Sequence, residues 1–255
     1  MRRRLRDVHD SRSARGRRRG LPRDRQLRIS NRPMPDRDRA EAKEAETRSR
    51  LLNAAERLFA DRGFKDVTVR EICRDAHANV AAVNYHFRDK QGLYREVLQL
   101  AIDAIRETNE AGRRAAEGHP PAEKLRRYLS VFLRRVLNPE YETVHRLIQR
   151  EIDHPTPAMD ALVEQAARPR LEFLGGVVAE LMECDPADPR VLRRVGSVME
   201  QTIIWVRKNP IAERLGFVFK PTPDNIDMAA RHITDFSVAG IRAVAAQRPP
   251  SERAR

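Results

Sequence analysis

Cysteine is almost missing from this chain of 255 residues: only Cys73 and Cys184 occur, far apart and outside any paired spacing. That argues against a disulfide framework and against a cysteine-built zinc site, and it makes a reducing cytosol the simplest home. Long apolar runs are missing too, since the longest, residues 173–179, is about seven residues against the ~18 needed to cross a bilayer. No membrane association is expected. The basic amino-terminal residues are followed by no apolar stretch or small-residue cleavage site, so no secretory leader is expected either. Catalytic signatures are equally scarce. There is no G-x-S-x-G, no glycine-rich phosphate loop, no H-E-x-x-H and no metal-like His/Cys cluster, and His145 and His154 are separated by a break that makes them a poor metal pair. An enzyme is not expected, nor a cofactor or a metal.

What the chain does hold is positive charge, unevenly placed. Residues 1–46 carry sixteen Lys and Arg against eight Asp and Glu, residues 47–95 ten against six, and residues 96–255 twenty-four against twenty-three. The excess of basic residues that gives the net +13 therefore lies at the amino-terminal end. A polyanion is the expected partner of that end and something else of the rest. Residues 1–33, with thirteen Arg and no apolar period, have the composition of a disordered segment. Two readings stand for it: an arm that tracks phosphates, or an incidental stretch ahead of a second start at Met34. Intact mass of the native protein separates them.

From Thr47 onward the apolar period is helical and no long strand-like alternation follows, so an all-α fold of about nine helices is expected, 40% of the residues being hydrophobic enough to build its core. Leu51, Leu52, Ala55, Leu58 and Phe59 make one stripe, ended by Gly63 where a left-handed cap is wanted. Thr68 and Glu71 spell a capping box that opens a second helix to about Asp75. After a tight connection at 76–78, Asn79 caps a third helix to about His86, and Asp89 caps a fourth. Prolines punctuate the remainder. Helices are expected at about 120–136, 139–152, 158–182 (kinked or divided by Pro169), 189–206 and 222–246.

Three short helices with a tight turn before the last form a helix-turn-helix pattern, whose last helix enters the DNA major groove. Residues 51–64 (LLNAAERLFADRGF), 68–73 (TVREIC), 79–87 (NVAAVNYHF) and Lys90 resemble the amino-terminal domain of TetR-family transcriptional regulators. Leu137-Asn138-Pro139, Arg150-Glu151 before Pro155-Thr156, Trp205 and residues 233–240 (ITDFSVAG) are similar to the CerR-type carboxy-terminal domain of one branch of that family. Together the similarities cover about residues 47–246. Outside that range an Arg-rich extension at 1–46, with an acidic, helix-compatible stretch at 36–46, and a tail at 247–255 are expected to be disordered. The resemblance implies a DNA-binding domain at 47–95 and a helical ligand-sensing and dimerisation domain at 96–246. It also implies a dimeric repressor that binds a palindromic operator in duplex DNA and is released by a small-molecule effector.

On DNA, Asn79 is expected to cap a helix whose amide-rich end faces a phosphate. Val80, Ala81 and Ala82 are small enough to let the helix lie deep and touch thymine methyls, and Asn84 has the donor–acceptor pair that suits adenine. Tyr85, His86 and Lys90 match family positions that contact the backbone or groove edge, and Thr47, Arg48, Thr68 and Arg70 are placed at helix starts able to grip phosphates. Val83 and Phe87 are expected to pack inward. Each of these polar residues taken alone is as well explained as an ordinary surface side chain, and only their joint placement favours DNA. One departure is local: His77 stands where the family has Gly, and if its φ is positive the substitution costs roughly 1–2 kcal/mol.

For the sensor, Phe132, His145, Gln149, Arg150, Phe173, Met199 and Trp205 combine aromatic and polar character suited to a small-molecule site, the alternative for each being plain core packing. The Arg150–Glu151 dyad must be paired if it is buried, and it can instead lock two helices together. The last two long helices are expected to form a four-helix seam with a second copy, unless their apolar stripes face the monomer's own core. A rival class, an architectural or RNA-binding protein working through the Arg-rich arm, predicts that deleting residues 1–33 abolishes nucleic-acid binding.

Overall fold

The first helix begins well before the apolar stripe does. In the computed structural model, which describes residues 36–206, 210–216 and 218–246, α1 runs over Asp36–Arg62. The extension expected to be disordered through residue 46 is thus helical from Asp36. Its residues, DRDRAEAKEAE, are mostly strong helix formers, and Arg37 pairs with Glu41 at i,i+4 over 3.0 Å. Lacking an apolar face, it carries no periodic signal. The expectations for residues 1–35 and 247–255 lie outside the described residues.

Helices α2 (Val69–Asp75), α3 (Val80–Phe87) and α4 (Lys90–Ala116) follow, each opened by the cap its sequence announces. Thr68 and Glu71 close a full capping box, Asn79 accepts from the Ala81 amide at 3.0 Å, and Asp89 accepts from the Gly92 amide at 2.7 Å. Gly63 ends α1 at φ 81, its amide bonded to the Phe59 carbonyl at 2.8 Å. Leu51, Phe59, Ile72, Val83, Phe87, Leu93 and Tyr94 close one core beneath these helices.

The body continues with α5 (Pro121–Val136), a 3-10 turn at Pro139–Tyr141, α6 (Glu142–Asp153), α7 (Met159–Leu162), a π-helical turn at Val163–Ala167, α8 (Arg168–Met182), α9 (Pro189–Val206), α10 (Pro210–Arg214) and α11 (Pro223–Ala245). All described elements are helical. The π turn answers to Pro169, which has no N–H to give and whose ring crowds the carbonyl of Gln165 one turn back, so the chain widens a turn instead of breaking. Helix α10 lies in a stretch where no helix is expected, having no buried residue to mark it. A second core, from Leu125, Leu129, Leu174, Val178, Val195 and Ile233, joins α5, α8, α9 and α11. The long α4 serves both cores: its first half closes the amino-terminal core, and Gly112 lets it approach α5 so closely that an added Cβ would meet the Tyr128 ring at 2.6 Å. None of the described helices is long and apolar enough to cross a membrane.

Candidate functional site

The turn before α3 is a Schellman motif. The Ala78 amide bonds to the Cys73 carbonyl at 2.9 Å and the His77 amide to the Arg74 carbonyl at 3.3 Å, which requires a left-handed residue between them. His77 fills that place at φ 49. The tight connection survives the loss of glycine because these hydrogen bonds satisfy the carbonyls that the end of α2 leaves over, at a cost of roughly 1–2 kcal/mol.

Helix α3 stands on Val83 and Phe87, which are 0% and 3% exposed. Its opposite face is open: Asn79, Val80, Ala81, Asn84 and Tyr85 are all exposed, Tyr85 at 72%, while Ala82 and His86 are half-buried. Thr68 and Arg70 sit exposed at the start of α2. The α3 side chains thus share one projecting surface, with a capped, amide-rich helix end beside them. Asn84 sits in the middle of that surface.

Four residues differ from their expected settings. Thr47 and Arg48 do not stand at a helix start but lie inside α1, where the Thr47 hydroxyl donates back to the Lys43 carbonyl at 2.9 Å. The Arg48 guanidinium pairs with Glu96 and overlies the Phe87 ring at 5.3 Å. The cause is the early start of α1, which also brings Glu44 to the Tyr85 hydroxyl, where its carboxylate pushes the phenol pKa up. Lys90 is half-buried, its ammonium 4.4 Å from the centre of the Phe64 ring, and partial loss of water pulls its pKa down.

The residues expected to line a sensor divide. Phe132, His145, Gln149 and Met199 border one cavity of about 240 Å³ that opens to solvent between α4, α5, α6, α8 and α9. Arg150, Phe173 and Trp205 do not reach it. Arg150 donates to the Asp61 carbonyl at 2.7 Å and so docks α6 onto the end of α1, beside an ion pair between Arg146 and Asp61. Phe173 packs on Tyr128, and Trp205 lies against Phe219 and His232. Helical periodicity marks such side chains but does not say which of two neighbouring spaces each enters. The cavity also holds Tyr141 and Arg170, which were not among the expected residues. The signal available for Arg170 was a cation following Pro169 inside an otherwise apolar register.

Glu151 is fully buried and paired, as its position demands. It accepts from the Tyr94 hydroxyl at 2.6 Å and from the amide and hydroxyl of Thr156 at 2.8 and 2.9 Å. Burial, followed by this carboxylate, pushes the Tyr94 pKa far up. Among the described residues no cluster of three or more His, Cys, Asp or Glu could hold a metal.

A three-helix head with an outward, asparagine-capped helix, joined by a long α4 to a helical body with its own cavity, defines a DNA-binding regulator of the helix-turn-helix class. Residues 51–97 match the family described as "Bacterial regulatory proteins, tetR family", and residues 121–241 match "HTH-type transcriptional dual regulator CecR, C-terminal domain". The carboxy-terminal domain is thus of the CecR type, where the sequence resemblance pointed to CerR. The chain is 28% identical over 182 residues to the HTH-type transcriptional dual regulator CecR of Shigella flexneri, covering 68% of this chain and 81% of that one. It is 30% identical over 172 residues to the regulator AcrR of the same organism, covering 64% and 78%. Among solved structures, the TetR-family regulator PfmR from Thermus thermophilus shares the fold at TM-score 0.53 and 20% identity, over 74% of this chain and 97% of that one. AibR, solved in complex with isovaleryl coenzyme A and operator DNA, shares it at TM-score 0.55 and 17% identity, over 76% and 97%. The chain belongs to the TetR family of bacterial transcriptional regulators, and it is not an enzyme.

Proposed function

We propose that this regulator is a cytoplasmic, dimeric repressor that reads a palindromic operator through α3 and lets go of it when a small effector occupies the cavity in the body. The observation that carries the reading is α3 itself: a capped helix whose buried Val83 and Phe87 fix its aim while Val80, Ala81, Asn84 and Tyr85 face outward. Asn84 supplies the adenine-reading pair, Val80 and Ala81 the methyl contacts, and the Asn79-capped end with Thr68 and Arg70 the phosphate contacts. Repression needs nothing further, because a dimer seated on its operator blocks polymerase by occupancy. Both cysteines are free, which suits a reducing compartment.

A second copy is supported by the outer faces of α9 and α11. The stripe of Val191, Val195, Val198 and Thr202 on α9 faces the monomer's own core, as do Ile226, Ile233 and Ile241 on α11. Outside that core Ile204 stays 55% exposed, Phe236 67% and Val244 36%, with Gly196 and Gly240 opening onto empty space. Arg194 Nε, buried in the same region, has no hydrogen-bond partner among the described residues. Small residues beside large exposed apolar ones suit two helices crossing two others around a two-fold axis.

Selection of bound sequences from random duplexes tests the reading. An inverted repeat with half-sites separated by about one helical turn, ~34 Å or a multiple of it, is the expected result. Enrichment of no repeat, or equal retention of random DNA, overturns it.

A further inference from the structure

The cavity between α4, α5, α6, α8 and α9 is lined chiefly by Ile105, Phe132, Val144, Ile148, Met199 and Ile203, yet a cation, Arg170, borders it. Arg170 is held there by neutral groups. Its Nε donates to Asn109 Oδ1 at 3.2 Å, its guanidinium lies 5.0 Å from the centre of the Phe132 ring, and the Tyr128 hydroxyl is against it. Arg168, two residues earlier, is neutralised by Glu164 over 2.6 Å, whereas Arg170 forms no ion pair with a described carboxylate. Glu200, the acid on the cavity wall, sits exposed.

The support behind Arg170 is built rather than incidental. Asn109 is 5% exposed, and its Oδ1 also accepts from the Tyr128 hydroxyl at 3.0 Å while its Nδ2 donates to the Ala166 carbonyl at 3.1 Å. That carbonyl belongs to the π turn, where the widened ladder leaves acceptors to satisfy. Gly112 makes room for the Tyr128 ring that completes the network. A guanidinium fixed in one orientation against an apolar wall is costly to desolvate unless an anion meets it, and its planar fork matches a carboxylate.

We infer that the effector of this regulator is a compact organic monoanion, a carboxylate with an aliphatic or aromatic body, its head on Arg170 and its body among the apolar side chains. The inference rests on the reading of this cavity as the effector site. A volume of about 240 Å³ is equivalent to roughly eight water molecules, which suits a small acid.

Titration calorimetry of the full chain, free of DNA, with hexanoate, octanoate and benzoate, each beside its alcohol (hexanol, octanol, benzyl alcohol), tests it. At least one carboxylate is expected to bind roughly tenfold or more tightly than its alcohol, a preference lost in Arg170→Met and partly kept in Arg170→Lys. Carboxylates that bind no better than their alcohols overturn the inference, as does a preference that survives Arg170→Met. The alcohol comparison needs no variant and so remains decisive if Arg170→Met does not fold. Operator retardation, run in parallel without ligand, separates the two claims. Intact operator binding without a carboxylate preference removes this inference alone, and failure of the free protein to bind any operator removes the regulator mechanism alone.

Discussion

The Tyr94 hydroxyl donates to the Glu151 carboxylate over 2.6 Å, inside the protein, and so ties α4 to α6 at the point where the DNA-reading head meets the body. Tyr94 also stacks edge-on against Phe59 at 5.0 Å and lies 4.9 Å from Phe64, so the same ring belongs to the head's core. On the mechanism proposed above, an effector that displaced α6 would reach the head through this contact, the Arg150–Asp61 bond and the Arg146–Asp61 ion pair.

Tyr94→Phe removes one of three donors to Glu151 and leaves Thr156 holding it. The expected loss is about 1–3 kcal/mol in urea unfolding, with a larger loss for Glu151→Ala, which strands the Tyr94 and Thr156 donors together. A smaller loss for Glu151→Ala than for Tyr94→Phe contradicts the pairing described.

His77→Gly relieves the left-handed strain in the Schellman turn. Stability is expected to rise by about 1 kcal/mol, the relief being larger than the entropy that glycine adds to the unfolded chain. Thermal unfolding measures it, and a lower midpoint for the variant is the contrary outcome.

Acid is expected to loosen α2. The Thr68 hydroxyl and amide, followed by Arg62, hold the Glu71 carboxyl at a pKa of about 2, below its ordinary 4.5. A lowered carboxylate pKa gives stability that is present above the unfolded value and is lost as the pH falls from about 4.5 toward 2. Amide exchange in α2, compared between wild type and Glu71→Gln, checks the sign: the wild type alone should show this extra acid dependence.

Asn84→Ala is expected to weaken binding to the selected operator by about 1–3 kcal/mol while hardly changing retention of random DNA. Lys90→Ala should weaken both and lower the salt slope by about one, the ammonium having to leave Phe64 to reach a phosphate. Equal losses on both DNAs for both variants are incompatible with these roles.

Phe236→Asp places a charge on an exposed apolar face that the monomer does not need for its own core. It is expected to shift sedimentation from dimer to monomer with little change in helix content. A variant that stays dimeric moves the seam elsewhere.

Much of this protein was legible before any coordinates. The caps at Thr68, Asn79 and Asp89, the left-handed Gly63 and the inward Val83 and Phe87 follow from local hydrogen bonding and apolar period, which depend on neighbours in sequence. The early start of α1 escaped because residues 36–46 are helical by propensity alone and bury no face. It altered the setting of Thr47, Arg48 and Tyr85, because a helix-compatible composition at 36–46 does not say that the stretch continues without a break into the apolar stripe.

What tertiary structure alone decided is which polar groups meet. Sequence demanded a partner for a buried Glu151; Thr156 is close by in the chain, yet the other donor, Tyr94, comes from fifty-seven residues away. Arg170 borders the cavity, and Arg150, Phe173 and Trp205 lie away from it, because the rotation of each helix about its axis is set by packing across the whole core. Local rules determine where helices begin and end, while the spaces between them exist only once all of them are packed.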